Sequence, residues 1–271
     1  MSDSIEYKLS DYDQLRKKLI EKLGAPVYPS WQDAFKIWEQ RTNSMPPMSF
    51  IYVYDYKQLR TVLSKGFGLL GYSEKTNFDY KMMGGLMHPN QKKILFLQTM
   101  FMAFESHKFT QFAKGGNLIR TTLRAYKDSS GKYWLGQQTI EYFQNDESDN
   151  LVRYLAWVHI LGEYNGEPLK TRFYTKRNLN DKETEKFNYN IKIIRTAVFE
   201  QLGFTNQQME VIKLLMGDSS PKDVCATMRI KESTLRYHRL GILEKGREIF
   251  PKNEFKSAKD VIKYLEDQQI I

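Results

Sequence analysis

The last quarter of the sequence contains three segments with helical periodicity, separated by short breaks. Residues 204–217 read FTNQQMEVIKLLMG, residues 219–228 read SSPKDVCATM, and residues 229–246 read RIKESTLRYHRLGILEKG. Apolar residues recur in them about three or four positions apart, as on the buried face of a helix. We therefore predict three helices, with a three-residue turn at residues 229–231 between the second and the third.

Residues that favour helix starts stand at the head of these segments. Thr205 and Gln208 have the spacing of a capping box. Ser220 is a good N-cap, and Pro221 suits the first helical position. Asp223, at the third helical position, is favoured by the helix dipole. Two helices joined by a tight turn, the second longer and more basic, form a helix-turn-helix. In that motif the first helix braces against the DNA backbone and the second enters the major groove.

The overall composition is that of a basic, globular protein. The 271 residues include 41% apolar and 27% charged side chains, and the net charge is +9. An excess of positive charge favours a polyanionic partner. Because Cys225 is the single cysteine, an intramolecular disulfide and a cysteine-based zinc site are both excluded.

Several other functional classes lack their usual signals. The first residues have neither the basic start nor the apolar core of a secretory signal, and the most apolar stretch, residues 94–104, is too short to span a bilayer. The sequence has no P-loop, no Rossmann glycine pattern, no G-x-S-x-G elbow and no metal-spaced histidine pair. We therefore expect a cytoplasmic protein without membrane partner, metal or cofactor, and not an enzyme.

The first part of the chain predicts a helical segment followed by an α+β region. Residues 1–45 are interpreted as N-terminal helices that carry Trp31 and Trp38 on an apolar stripe, ended by the prolines that follow. A long helix is predicted over residues 91–113. Five segments have the alternation or the aromatic and β-branched content of strands: residues 50–54, 61–64, 118–126, 133–143 and 151–161.

The strand predicted over residues 118–126 carries different side chains on its two faces. Alternation places on one side Ile119, Thr121, Leu123 and Ala125, and on the other Arg120, Thr122 and Arg124. A turn of the sequence DSSG, at residues 128–131, leads into the next strand.

Three short motifs in this region resemble motifs of PAS sensor domains. GYS at residues 71–73 is similar to the motif after the first small helix, and HPN at residues 88–90 is similar to the HPDD stretch that opens the long helix. GKYW at residues 131–134 is similar to the DGxYRW turn. Their order makes residues 46–165 resemble a PAS domain, which implies an antiparallel sheet flanked by helices that senses a signal or mediates dimerisation.

Two interpretations of the interior of such a domain stay open. It is either plain apolar core, which we favour, or a pocket for haem or another unidentified small ligand. Flavin light sensors of this class form a cysteine adduct, and residues 46–165 contain no cysteine. We therefore expect no covalently bound chromophore.

Residues 166–203 are interpreted as a basic helical connector. A helix is predicted from about Lys182, because apolar residues recur at helical spacing: Phe187, Ile191, Ile194 and Val198. The helix is either a solvated linker with one packed stripe or a dimer-forming signalling helix.

The three helical segments near the C-terminus resemble the DNA-binding domain of the LuxR/GerE family. Residues 204–217 follow the pattern FTxRExEVLxLxAxG, residues 222–230 follow sxKEIAxxLxIS, and residues 234–245 follow xxTVKxHxxNIxxKL. Residues 257–265 resemble the closing helix of the family, which is often a dimer contact. The resemblance implies that residues 204–271 form an all-α helix-turn-helix domain that binds double-stranded DNA.

Site residues follow from this resemblance. The positions that face base edges in the family are held here by Arg236, Tyr237 and Leu240. The expected phosphate contacts are Lys222, Lys231, Thr234, Arg239 and Lys245. His238 is expected to be structural or phosphate-facing, and each surface cation can alternatively be a solvated side chain.

This sequence departs from the family pattern at four places. Lys231 replaces the usual serine cap of the recognition helix at a cost of about 1 kcal/mol, and it trades stability for binding if its side chain reaches a phosphate. Gly241 and Gly246 stand where the family prefers Asn and Leu, which predicts a frayed helix end. Residues 247–256 form a longer connection than usual, which leaves the dimer geometry undefined.

The sequence thus predicts a homodimeric transcription regulator with a PAS-like domain and a LuxR-type helix-turn-helix. The expected dimer contacts are the connector stripe and the N-terminal helices, followed by the closing helix with Val261, Ile262 and Leu265. The alternative is a protein-interaction module whose helix-turn-helix no longer binds DNA.

Overall fold

The computed structural model describes residues 31–74, 76, 78–113, 117–145, 151–217 and 219–271. The first described helix, α1, spans Trp31–Asn43 and confirms the second of the predicted N-terminal helices. The helix predicted earlier in the segment lies outside the described residues.

The middle of the chain is a six-stranded antiparallel sheet in the order β2-β1-β5-β4-β3-β6. Five strands confirm the predicted ones: β1 Ser49–Asp55, β2 Arg60–Lys65, β3 Leu118–Lys127, β4 Tyr133–Asn145 and β5 Leu151–Glu163. The sixth, β6 Lys170–Thr175, pairs with β3 and was missed because it lies in the predicted connector.

One face of the sheet is covered by three helices: α2 Tyr80–Gly85, α3 Pro89–Phe104 and α4 Ser106–Ala113. The single helix predicted over residues 91–113 is therefore wrong, because the chain breaks at Glu105. His88 caps α3 by accepting a hydrogen bond from the backbone N–H of Asn90 at 3.3 Å, and Pro89 occupies the first helical position. The α+β, PAS-like fold class is as expected.

The turn between β3 and β4 is organised by Asp128. Its carboxylate accepts hydrogen bonds from the backbone N–H groups of Ser130 and Lys132 and, at 2.8 Å, from the indole N–H of Trp134. Gly131 has φ 96°, a conformation that glycine adopts without strain. The GKYW motif thus closes a turn, as the sequence indicated.

The opposite face of the sheet has its own small apolar cluster. Trp38 of α1 is buried there with Ile51, Val53 and Leu155. Its indole therefore stabilises the sheet of its own chain and is not available to a second subunit.

The connector helix, α5, spans Asp181–Glu200 and begins with a capping box formed by Asn180 and Glu183. Its predicted stripe is buried against α3 and α4, where the ring of Phe187 packs edge-on against Phe112 at 5.2 Å. The expectation that this stripe is the main dimer contact is therefore wrong, because its own chain covers it.

The four remaining helices are α6 Asn206–Met216, α7 Pro221–Met228, α8 Glu232–Ile249 and α9 Ala258–Asp267. Val261, Ile262 and Leu265 of α9 are buried against the helices of their own chain. The closing helix has the predicted position, but its apolar stripe is likewise used inside the chain.

The long connection between α8 and α9 has a structural role. Asn90, at the start of α3, accepts a hydrogen bond from the backbone N–H of Lys252 at 2.8 Å and donates one to the side chain of Asn253 at 2.9 Å. A second contact joins the backbone N–H of Leu169 to the side chain of Gln268 at 2.6 Å. The extra residues therefore dock against the start of α3, and the end of the chain docks beside the start of β6.

Candidate nucleic-acid interface

The predicted capping box of Thr205 and Gln208 is present, and the predicted N-cap Ser220 forms a second one with Asp223. The hydroxyl of Thr205 accepts from the backbone N–H of Gln208 at 3.2 Å, and the Gln208 side chain accepts from the N–H of Thr205 at 2.9 Å. At α7 the hydroxyl of Ser220 donates to Asp223 at 2.6 Å and accepts from its N–H at 3.2 Å. Hydrogen bonds from Ser220 also lower the pKa of Asp223. Both helix starts therefore have reciprocal caps.

The turn between α7 and α8 has the predicted length. Arg229 adopts the left-handed conformation, with φ 53° and ψ 44°, and ends α7. Ile230 is half-buried against the core. Lys231 occupies the N-cap position of α8 and makes no side-chain cap hydrogen bond, so the predicted loss of the cap is confirmed.

The recognition helix α8 has one buried and one exposed side. Leu235 and Ile242 are buried against α6 and α7, and His238 is buried beside them. Among the described residues, His238 Nε2 has no hydrogen-bond partner. Of the two roles expected for His238, the structural one fits this position, because a buried imidazole does not face a phosphate.

The exposed side of α8 brings four of the predicted site residues together. Arg236 and Arg239 project into solvent. Tyr237 is 74% exposed and Leu240 is 52% exposed. Residues three or four positions apart lie side by side on a helix, so these side chains form one continuous surface, hereafter the α8 face.

The other predicted residues lie elsewhere on α7 and α8. Lys222 and Lys231 are exposed at the starts of α7 and α8, and Thr234 is half-buried in the first turn of α8. Lys245 differs from them because its ammonium group is paired with the carboxylate of Glu248 at 2.9 Å. A phosphate contact by Lys245 therefore requires exchange of this ion pair.

The two glycines of α8 are packing positions. A Cβ on Gly241 would clash with Nε2 of Gln208, and one on Gly246 would lie 2.5 Å from a methyl carbon of Val261. The predicted frayed helix end is wrong, because α8 continues to Ile249 and the glycines let α6 and α9 approach it. The sequence analysis interpreted these glycines as helix-weakening residues, whereas a glycine inside a helix can also mark the place where another helix crosses it.

Two other classes of site have no counterpart in the described part of the chain. No group of three or more His, Cys, Asp or Glu side chains there could hold a metal ion. None of its helices has the length and apolarity needed to cross a membrane.

No protein-family model matches the chain, and no curated protein matches its sequence. Solved structures resemble it at low identity. A Vibrio cholerae VqmA dimer, described among LuxR-type receptors, is 14% identical over 86% of this chain and 88% of its own, with a TM-score of 0.30. Escherichia coli SdiA is 8% identical over 96% of this chain and 99% of its own, with a TM-score of 0.26.

A sensor domain is also among the similar structures. The N-terminal domain of a Marinobacter aquaeolei diguanylate cyclase with a PAS/PAC sensor is 11% identical over 42% of this chain and 95% of its own. Its TM-score is 0.33. Likenesses at these scores assign no function to this chain.

Proposed function

We propose that this chain is a sequence-specific DNA-binding transcription regulator, in which residues 204–271 bind double-stranded DNA. The observation that carries the proposal is the α8 face, where two arginines, a tyrosine and a leucine stand exposed on a helix whose opposite side is packed. A helix held in this way by two others fits the major groove.

The roles on this surface follow from side-chain chemistry. Arg236 is proposed to read a guanine, because a guanidinium can donate two hydrogen bonds to its O6 and N7 atoms, and Leu240 suits a thymine methyl. Arg239, Lys222 and Lys231 are proposed to bind phosphates, which fix the position of the helix without reading sequence. Thr234, Tyr237 and Lys245 complete the proposed contact set.

The rest of the chain is proposed to serve this regulator. Residues 46–175 form its PAS-like sensor domain, because β6 extends the sheet beyond the predicted boundary at residue 165. Residues 176–203 form the connector and residues 1–45 the N-terminal helical segment. The active species is proposed to be a homodimer, since one helix-turn-helix reads only a few base pairs. The stripes of α5 and α9 are buried, so the contact is expected on the sensor-side surface that exposes Phe35 and Leu161. Light scattering on the full chain measures the state directly.

The DNA-binding proposal is tested by gel shift against genomic fragments at two salt concentrations. Arg236→Ala is expected to relax discrimination at one base pair by about 1–3 kcal/mol, whereas Arg239→Ala is expected to weaken binding to all sequences alike. Lys263→Ala, which removes an exposed cation of α9, is the charge-matched control. Unchanged affinity in both arginine variants would refute the proposal.

One observation also suits a second function. Tyr237 and Leu240 are exposed apolar side chains of the kind that anchor protein interfaces. A protein-interaction module would bind its partner through them and would not bind DNA. The salt dependence of the gel shift separates the two, because phosphate contacts give a steep decrease in affinity with salt.

A further inference from the structure

The inner face of the sheet contains two buried arginines. Arg120 and Arg124 of β3 are 2% and 3% exposed, and Thr122 between them is also buried. The polar side of this strand therefore faces the helices, whereas Thr121 and Leu123, on its other side, are only half-buried. The two guanidinium groups lie where a plain core would hold apolar side chains.

Both arginines line a cavity between the sheet and the helices, hereafter the sensor cavity. Its volume is about 70 Å³, and it opens toward solvent. Its apolar wall includes Leu59, Met83, Met87, Phe96 and Met100. Its polar wall, besides the arginines, includes Gln138, Tyr52, Tyr56 and Tyr154. The preference for a plain apolar interior is therefore wrong.

The guanidinium groups lack counter-ions within the described part of the chain. Nε and Nη1 of Arg120, and Nε and Nη2 of Arg124, have no hydrogen-bond partner there. Arg153 of β5 is also buried, but its charge is compensated. Its guanidinium forms an ion pair with Asp55 at 2.9 Å and donates a hydrogen bond to the side chain of Gln144 at 2.7 Å. Arg124 has instead the ring of Tyr126, whose centre lies 4.4 Å from its guanidinium carbon.

The neighbouring tyrosines do not supply the missing negative charge. Burial raises the pKa of Tyr52, and it raises the pKa values of Tyr56 and Tyr154 well above the ordinary value. These phenols are therefore neutral at physiological pH and act as hydrogen-bond donors or acceptors. Arg120 and Arg124 lie on the same face of β3, and both lower the pKa of Tyr52 electrostatically, which opposes the larger effect of burial.

An unpaired buried charge is costly, and the cost is removed when an anion enters. A guanidinium fork matches a carboxylate, to which it can donate two parallel hydrogen bonds. The methionine-rich and aromatic wall indicates that the rest of the ligand is apolar, since a pocket of this kind buries most of its ligand's surface. The arginines of the lining therefore favour a carboxylate, and its apolar wall favours an apolar body on the same ligand.

We propose that the sensor cavity binds a small monocarboxylate with an apolar body, whose carboxylate contacts Arg120 and Arg124. The hydroxyl of Tyr56 and the Oε1 atom of Gln138, which also lack partners among the described residues, offer further polar contacts. The biological consequence rests on the proposed regulator, but the binding step does not and is measured without DNA.

The probes are propionate, butyrate and benzoate, added to the purified full chain, with the corresponding neutral amides and inorganic phosphate as comparisons. Calorimetry and thermal unfolding are expected to show saturable binding of at least one carboxylate and a rise in Tm with its concentration. The matching amide is expected to bind about tenfold or more weakly, because it loses the charge-assisted hydrogen bonds. Phosphate is expected not to compete, since it cannot contact the apolar wall.

Substitutions test whether Arg120 and Arg124 bind the carboxylate. Arg120→Met and Arg124→Met remove the charge at similar volume and are expected to abolish carboxylate binding without lowering the Tm of the ligand-free protein. Arg172→Met, on the exposed side of β6, is the matched control and should bind as the parent does.

Three results would overturn the proposal: no carboxylate binds, the amides bind as tightly as the acids, or both arginine variants bind unchanged. Binding of phosphate alone would also overturn it. A chain that binds a carboxylate but no DNA would refute the regulator and retain the ligand site. A chain that binds DNA but none of the probes would refute the ligand site and retain the regulator.

Discussion

Replacing Lys231 by serine is expected to make the protein more stable and its DNA complex weaker. Lys231 stands at the N-cap of α8 and leaves the first N–H groups of that helix without a side-chain acceptor. A serine hydroxyl there can accept from the N–H of Ser233 or Thr234, which is worth about 1 kcal/mol. Removing a positive charge from the positive end of the helix dipole acts in the same direction. For a chain of this size, about 1 kcal/mol raises Tm by roughly 2–4 °C.

The effect on DNA has the opposite sign because Lys231 is a proposed phosphate contact. Lys231→Ser is expected to weaken binding to all sequences and to lower the slope of log affinity against log salt by about 0.9. Lys231→Ala is the control, since it removes the charge without adding a cap. It should lose the same affinity as the serine variant and gain less stability.

Thermal unfolding and salt-dependent gel shifts on the three proteins measure both effects. If Lys231→Ser melts no higher than Lys231→Ala, the cap argument is wrong. If the salt slope stays the same in both variants, Lys231 does not contact a phosphate.

Two further predictions concern stability. Gly246→Ala is expected to destabilise the chain by about 1–3 kcal/mol in denaturant unfolding, because its Cβ would lie 2.5 Å from a methyl carbon of Val261. This clash outweighs the better helix propensity of alanine. An unchanged free energy of unfolding would show that α9 moves away freely. Hydrogen bonds from Ser130 and Trp134 lower the pKa of Asp128 to about 2. Since this folded-state pKa is depressed, its stabilisation is present above the unfolded pKa of about 4 and is lost as pH decreases toward 2. The Tm difference between the parent and Asp128→Asn should therefore shrink over that range, and a pH-independent difference would contradict the assignment.

The sequence predicted the helix-turn-helix closely because its signals are local. The capping boxes of Thr205 and Ser220 act within one helical turn, so their residues define where α6 and α7 begin. The five predicted strands were also correct, since alternation and turn residues mark strands without reference to their partners. Strand β6 was missed because its pairing with β3 joins segments about fifty residues apart, and no local pattern encodes that.

The tertiary features of the candidate sites could not be predicted in the same way. Alternation in β3 separates Arg120 and Arg124 from Ile119 and Ala125, but it does not state which face is covered. Both faces of this strand contain buried residues, so the usual rule that charged side chains face solvent fails. The destination of the α5 stripe was equally ambiguous, because an apolar stripe is complementary to any apolar surface, whether in its own chain or in another.

Helix α3 connects the two sites that carry the proposals. Its Phe96 and Met100 line the sensor cavity, and its first turn contacts the connection between α8 and α9 through Asn90. Lys93 of the same helix donates a hydrogen bond to the backbone carbonyl of Leu202 at 2.9 Å, immediately before the helix-turn-helix. A ligand can change DNA affinity only if it binds two arrangements of the chain unequally. In the proposed regulator, α3 is placed to transmit such a difference, because it lines the cavity and contacts the chain both before the helix-turn-helix and between α8 and α9.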